Sequence, residues 1–248
     1  MADTVLTHLD LNSQEKIIAI RENKLSDANF ILTSLIAKTF SEQNTLCFII
    51  LHHTLGHYQN VGKRLGYDLI AQISAGQARV IEPMKQIVDD IANTIPVYLQ
   101  QNKESVVRYL FDQIQQNIDE LQKQNGGRVT SLVIDDISHL FDLGVDLKNV
   151  LRFLKYCNGL AFNSNVNVVV NCHVNTDIDE IIANLMFHSA DVCVNVCALR
   201  TGRSRNVSGV LSVSKKTSTK TNIHQQNTYH FKLTDKDIKL FAPGRAII

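Results

Sequence analysis

One run leaves this chain little choice of architecture: Val129-Thr-Ser-Leu-Val-Ile-Asp135-Asp136-Ile-Ser-His-Leu-Phe-Asp-Leu-Gly144. Its centre, Leu132-Val133-Ile134, is apolar and largely β-branched, and it closes in two carboxylates followed by polar turn residues. A near-continuous apolar strand is buried on both faces, as in the middle of an α/β sheet flanked by helices. The acids then fall at the carboxyl end of the strand, where open α/β sheets bind ligands. P-loop NTPases write their Mg²⁺-holding strand in this way, apolar residues closed by an acid. The same pattern also ends ordinary buried strands, in which case Asp136 caps the turn that follows.

The surrounding pattern supplies the rest of such a sheet. Lys16–Ile20, Thr45–Leu51, Gln77–Ile81 and Val166–Cys172 read as strands. A helix capped by Ser26 or Asp27 follows the first, and a short helix closed by Gly66 follows the second. Val106, Leu110, Ile114, Ile118 and Leu121 recur at steps of three and four, which predicts an amphipathic helix over 105–124. Residues 84–101 are mixed, with Pro96 interrupting any continuous helix. Further helices are expected over 146–157 and 178–187. After residue 191 the rhythm changes, and strands at 191–199, 208–214, 228–233 and 238–241 follow one another without helices. The expectation is one α/β domain over 1–248: a mixed sheet flanked by helices, with antiparallel strands added at the C-terminal end. Residues 1–15 are expected to be peripheral.

The 248 residues are 44% hydrophobic and 20% charged, the balance of a globular protein. No apolar stretch approaches the ~18 residues of a membrane helix, and the amino terminus lacks the basic-then-apolar order of a secretory signal. Cys47, Cys157, Cys172, Cys193 and Cys197 sit in apolar runs at irregular spacing, an odd set that reads as buried thiols in a reducing compartment. The sequon at Asn206 is then a chance match.

Chemistry is hard to place. A phosphate loop between the first strand and first helix needs glycines whose backbone N–H groups surround phosphate, followed by Lys-Ser/Thr. That junction reads Ile20-Arg-Glu-Asn-Lys-Leu-Ser-Asp-Ala-Asn-Phe30: it has no glycine, Leu25 follows Lys24, and Glu22 and Asp27 would repel phosphate. His52, His53 and His57 have a spacing that could place two imidazoles on one helix face, but no third ligand is near in sequence. Cys193 and Cys197 read as strand packing. No nucleophile elbow or dinucleotide fingerprint is present. No catalytic residue, metal or cofactor is assigned.

The net charge of +1 hides a division. Residues 1–191 hold 15 Lys/Arg against 22 Asp/Glu, net −7, and residues 192–248 hold 10 against 2, net +8. No acid occurs between Asp191 and Asp235. Arg200, Arg203 and Arg205 form one hairpin-like loop, and Lys215, Lys216 and Lys220 a second. Cations among small polar residues suit a phosphate backbone, which asks for charge and donors without base-reading geometry. A solvated charged face explains the same residues.

Taken together, Gly56-His57-Tyr58 with Val61-Gly62 and Leu65-Gly66, then Val133-Ile134-Asp135-Asp136-Ile137-Ser138, carry a resemblance to a family. Leu140 with Leu143-Gly144, Phe153-Leu154, Tyr156-Cys157, and Phe241-Ala242 with Gly244 extend it over most of the chain from residue 45. The chain resembles the Elongator complex protein 6 family. The resemblance implies a RecA-like fold without a working phosphate loop, and a hetero-hexameric ring with Elongator proteins 4 and 5. It further implies association with the rest of the Elongator complex, tRNA binding, and support of wobble-uridine modification in the cytoplasm, with the nucleus as a second location. In RecA-like rings the loop after the strand that follows the acid-tipped one tends to face the pore. Here it carries Asp177, Asp179 and Glu180, so the basic hairpins are better tRNA candidates. Two rival readings stand: a degenerate NTPase-fold subunit supplying Arg200, Arg203 or Arg205 in trans to a neighbour's site, and a small-molecule domain using Asp135 and Asp136.

Overall fold

The computed structural model describes residues 2–23, 25–91, 103–163, 165–202, 204–216, 225–234 and 238–244. Its nine strands form one sheet in the order β3-β2-β4-β5-β1-β6-β7-β8-β9. The parallel part comprises β1 (Ile17–Asn23), β2 (Thr45–Ile50), β3 (Ala78–Ile81), β4 (Thr130–Asp135), β5 (Val166–Val174) and β6 (Val192–Cys197). β7 (Gly209–Lys215), β8 (Gln225–Leu233) and β9 (Ile238–Phe241) then run antiparallel from β6. The expected mixed sheet with an antiparallel extension is therefore the one observed. All six residues of β2 and of β4 are buried, as continuous apolar runs require when helices cover both faces.

Each face carries its own core. On one, α6 (Lys103–Gln124), α7 (Leu147–Asn163) and α8 (Asp177–Ser189) pack on the alternate strand residues Leu132, Ile134, Val168 and Val170. On the other, α2 (Asn29–Ser41), α3 (Leu55–Leu65) and α4 (Leu69–Ser74) meet Ile18, Ile20, Phe48 and Val133. The mixed pattern after residue 84 resolves in part into α5 (Pro83–Ile91), with Pro83 at the first helical position, where its missing N–H costs nothing. Pro96 lies outside the described residues.

Two expectations need correction. Within the 1–15 segment, residues 2–9 are not peripheral: α1 (Ala2–Leu9) buries Val5 and Leu9 completely against the second core, because an i, i+4 apolar pair is enough for one short amphipathic face, while Asp10 and Asn12–Gln14 are exposed. Nor does Ser26 or Asp27 cap α2, whose N-cap is Ala28. The Ser26 hydroxyl donates to the Asn23 and Val196 carbonyls, and Asp27 accepts from the Asn29 N–H. All five cysteines are free, and four are buried. Among the described residues, no helix is long and apolar enough to cross a membrane.

Candidate functional site

The carboxyl ends of β1, β2, β4 and β5 gather the polar residues that the sequence singles out. Asp135 and Asp136 are both 2% exposed, and both are used internally. Asp136 Oδ1 accepts from the Ser138 N–H at 3.1 Å, the Ser138 hydroxyl at 2.8 Å and the His173 N–H at 3.0 Å. It caps the 3-10 turn Ile137–Phe141, the capping role open to it from sequence, and ties β4 to β5. Its φ of 48° is a conformation that Asp and Asn tolerate better than branched residues. Asp135 looks the other way, accepting the His53 N–H through Oδ2 at 3.3 Å, while its carbonyl takes the Leu51 N–H at 2.9 Å. Burial pushes its carboxyl up to about 6, opposed by the Tyr58 hydroxyl and the His53 N–H. The Tyr58 hydroxyl lies near Asp135 but outside strict hydrogen-bond geometry.

The first strand–helix junction is closed by its own acid. Glu22 Oε2 accepts the Ala28 N–H at the start of α2 at 3.0 Å. Its Oε1 lies 2.6 Å from His173 Nδ1, and the Glu22 side chain is 12% exposed. A helix N-terminus is where such folds receive phosphate oxygens; here a resident carboxylate holds the N-cap N–H. Burial raises the Glu22 carboxyl above the usual range, against the pull of Ala28 and His173. His173 loses charge stability to burial, yet the Glu22 hydrogen bond and charge outweigh that and raise it. The acid's hostility to phosphate is legible in sequence; its partners are not. Lys24 lies outside the described residues.

The imidazoles stack rather than converge. His53 and His57 ring centroids are 4.3 Å apart at an interplanar angle of 20°, and His52 lies 4.5 Å from His139 at 24°. Among the described residues, no group of three metal-type ligands is disposed around a common point. Burial, then the neighbouring His52 and His57, push His53 down to about 4. His139, from the turn after β4, is a member that sequence spacing could not supply.

The basic segment divides. Arg200 and Arg205 stand exposed in the loop joining β6 to β7, as expected of a hairpin, and Arg203 and Lys220 lie outside the described residues. Lys215 is the last residue of β7 rather than part of a free loop; its ammonium meets the Asp10 carbonyl and the Glu15 carboxylate at 3.2 Å. Lys216 donates to the His188 carbonyl and Lys232 to that of Arg205. Two of the acids after β5 are likewise occupied: Asp179 completes a capping box with Thr176, and Glu180 pairs with Arg21.

The fold and site define a RecA-like α/β domain whose first junction is held by a carboxylate. Its fold is shared with a KaiC-like protein of the archaeon Pyrococcus horikoshii, 13% identical with a TM-score of 0.58 over 92% of this chain and 90% of that one. A second protein of that organism, solved with an unknown peptide, is 11% identical with a TM-score of 0.61 over 98% of each chain. Likeness at that identity speaks for fold alone. The model of the Elongation complex protein 6 family matches residues 4–235, and the chain belongs to that family. It is 27% identical to Elongator complex protein 6 of Homo sapiens, over 95% of this chain and 93% of that protein. The protein of the same name from Drosophila melanogaster is 26% identical over 98% of each, and that from Danio rerio 26% over 91% and 90%.

Proposed function

We propose that this chain is a non-catalytic RecA-like subunit of a hetero-hexameric ring with Elongator proteins 4 and 5, which binds tRNA and supports wobble-uridine modification. The observation that carries the non-catalytic part is Glu22 on the Ala28 N–H. A carboxyl group, 12% exposed and hydrogen-bonded to His173, stands where a nucleotide phosphate would need free N–H groups. Family membership supports the complex, and the exposed Arg200 and Arg205 support the tRNA contact. Lys215 and Lys216 contribute less than their charge suggests, because the chain already engages both.

Phosphate binding releases counterions, so the slope of log affinity against log salt counts the phosphates neutralised. In the reconstituted ring, Arg200→Ala with Arg205→Ala should flatten that slope for tRNA by roughly 0.7 to 0.9 for each phosphate no longer neutralised. Unchanged tRNA binding across the salt series would place the nucleic-acid surface on another subunit. The same exposed arginines favour a second reading, in which one of them reaches a neighbour's nucleotide. ATP turnover of the mixed ring, with and without each arginine, separates the two.

A further inference from the structure

A groove runs between α7 and α8 on the helical face that bears α6, with a volume of about 570 Å³. Leu154 forms its floor, Leu151 and Phe162 line the α7 side, and Leu185 lines the α8 side. α8 binds the sheet through Ile182, Ala183 and Met186, yet Ile178, Ile181 and Leu185 form a second apolar stripe at i, i+3 and i+7, each 45–46% exposed. Phe162 is 77% exposed. An isolated exposed apolar residue is ordinary, but an aligned stripe beside a groove marks an interaction surface. The span from Ile178 to Leu185 is two helical turns, roughly 10 Å, the length presented by an apolar stripe of i, i+3, i+4, i+7 anchors.

The charges choose among occupants. Among the described residues, the ionisable groups lining the groove are Lys155 and His188, and no carboxylate lines it. α7 carries Lys148, Arg152 and Lys155 and no acid along its whole length. Arg152 donates to Asn149, whereas Lys148 and Lys155 are exposed. On α8 the acids Asp177, Asp179 and Glu180 belong to the first turn, at the far end of the stripe from His188.

We propose that this groove seats an amphipathic helix from another polypeptide, with its apolar stripe between α7 and α8 and its carboxylates against Lys155 and His188. The proposal goes beyond the ring reading, since neither the tRNA contact nor the closed first junction enters it. Leu and Phe supply the buried contact, and Lys155 sets orientation and rejects basic helices.

The test uses the full chain and two fluorescent helical peptides, each with Leu at i, i+3, i+4 and i+7. One flanks the stripe with Glu and the other with Lys. The Glu peptide should bind saturably and the Lys peptide should not. Lys155→Glu should weaken the Glu peptide about fivefold and improve the Lys peptide, as expected of one charge pair at the edge of an interface. Leu185→Glu should abolish binding of the Glu peptide, while both variants keep the parent melting temperature within a few degrees. No saturable binding of the Glu peptide at millimolar concentration overturns the proposal. So does a peptide preference that Lys155→Glu leaves unchanged. A concentration-dependent dimer of the parent chain, abolished by Leu185→Glu in sedimentation, would overturn it in favour of a second copy. A reconstituted parent ring that fails to bind tRNA, while the chain still binds the Glu peptide, would count against the ring reading alone.

Discussion

The Asp136 carboxylate and the His173 N–H lie 3.0 Å apart, joining the turn after β4 to the end of β5. Two more donors, the N–H and hydroxyl of Ser138, share the same oxygen. Asp136→Ala leaves all three without their acceptor and should cost about 3 kcal/mol, whereas Asp136→Asn, which keeps an acceptor and tolerates the positive φ, should cost about 1 kcal/mol. Urea denaturation of the two variants measures the difference. Equal, negligible losses would show that this latch is dispensable.

Asp135 behaves oppositely, and pH exposes it. Its folded carboxyl is raised to about 6, so the folded state holds a proton that the unfolded chain releases near 4. Its contribution is therefore fully present at low pH and is lost as pH rises through about 6. His53 is pushed down to about 4 and has the reverse sign: it favours the fold as pH rises toward its ordinary 6.5. Its partial exposure weakens that effect. Asp135→Asn removes the first contribution and leaves the second. The variant should gain on the order of 2 kcal/mol relative to the parent at pH 7.5 and little at pH 4.5, by chemical denaturation at both. A variant that loses stability at pH 7.5 would mean the charged carboxylate is needed.

These two acids mark the boundary of what a sequence discloses. The β4 run and the Asp136 cap are local features, written within a few residues of each other, and both are readable. The same holds for the switch from helices to hairpins after residue 191. Glu22 announces itself only as a charge hostile to phosphate, because its partner His173 lies in another strand. Lys215 looks free in sequence because Glu15, which holds it, is far away along the chain. The stacking of His52 on His139 is equally a product of neighbouring strand ends, with no periodicity to betray it.

Gly62 illustrates a packing constraint of the same kind. A Cβ there would sit 2.5 to 2.9 Å from the ring of Tyr67, which is buried against α3. Gly62→Ala should destabilise the fold by about 1 to 3 kcal/mol despite the gain in helix propensity, since overpacking a buried ring outweighs it. Gly62→Ala with Tyr67→Leu should recover part of the loss. A single variant as stable as the parent would show that Tyr67 moves aside freely.

The amino-terminal helix makes a separate prediction. Leu9 is fully buried, so Leu9→Ala should cost about 2 to 4 kcal/mol in thermal or urea unfolding. A change below about 0.5 kcal/mol, the range of surface substitutions, would return α1 to the periphery.

Under the proposed function, Glu22 takes the place of a nucleotide phosphate at the start of α2. The most direct measurement of this is calorimetric titration of MgATP into the purified chain. With the Ala28 N–H already bonded and no glycine in the junction, no saturation is expected below millimolar nucleotide, because the remaining groups cannot offset phosphate desolvation. A micromolar dissociation constant for MgATP, lost on replacing Asp135 or Asp136, would contradict it.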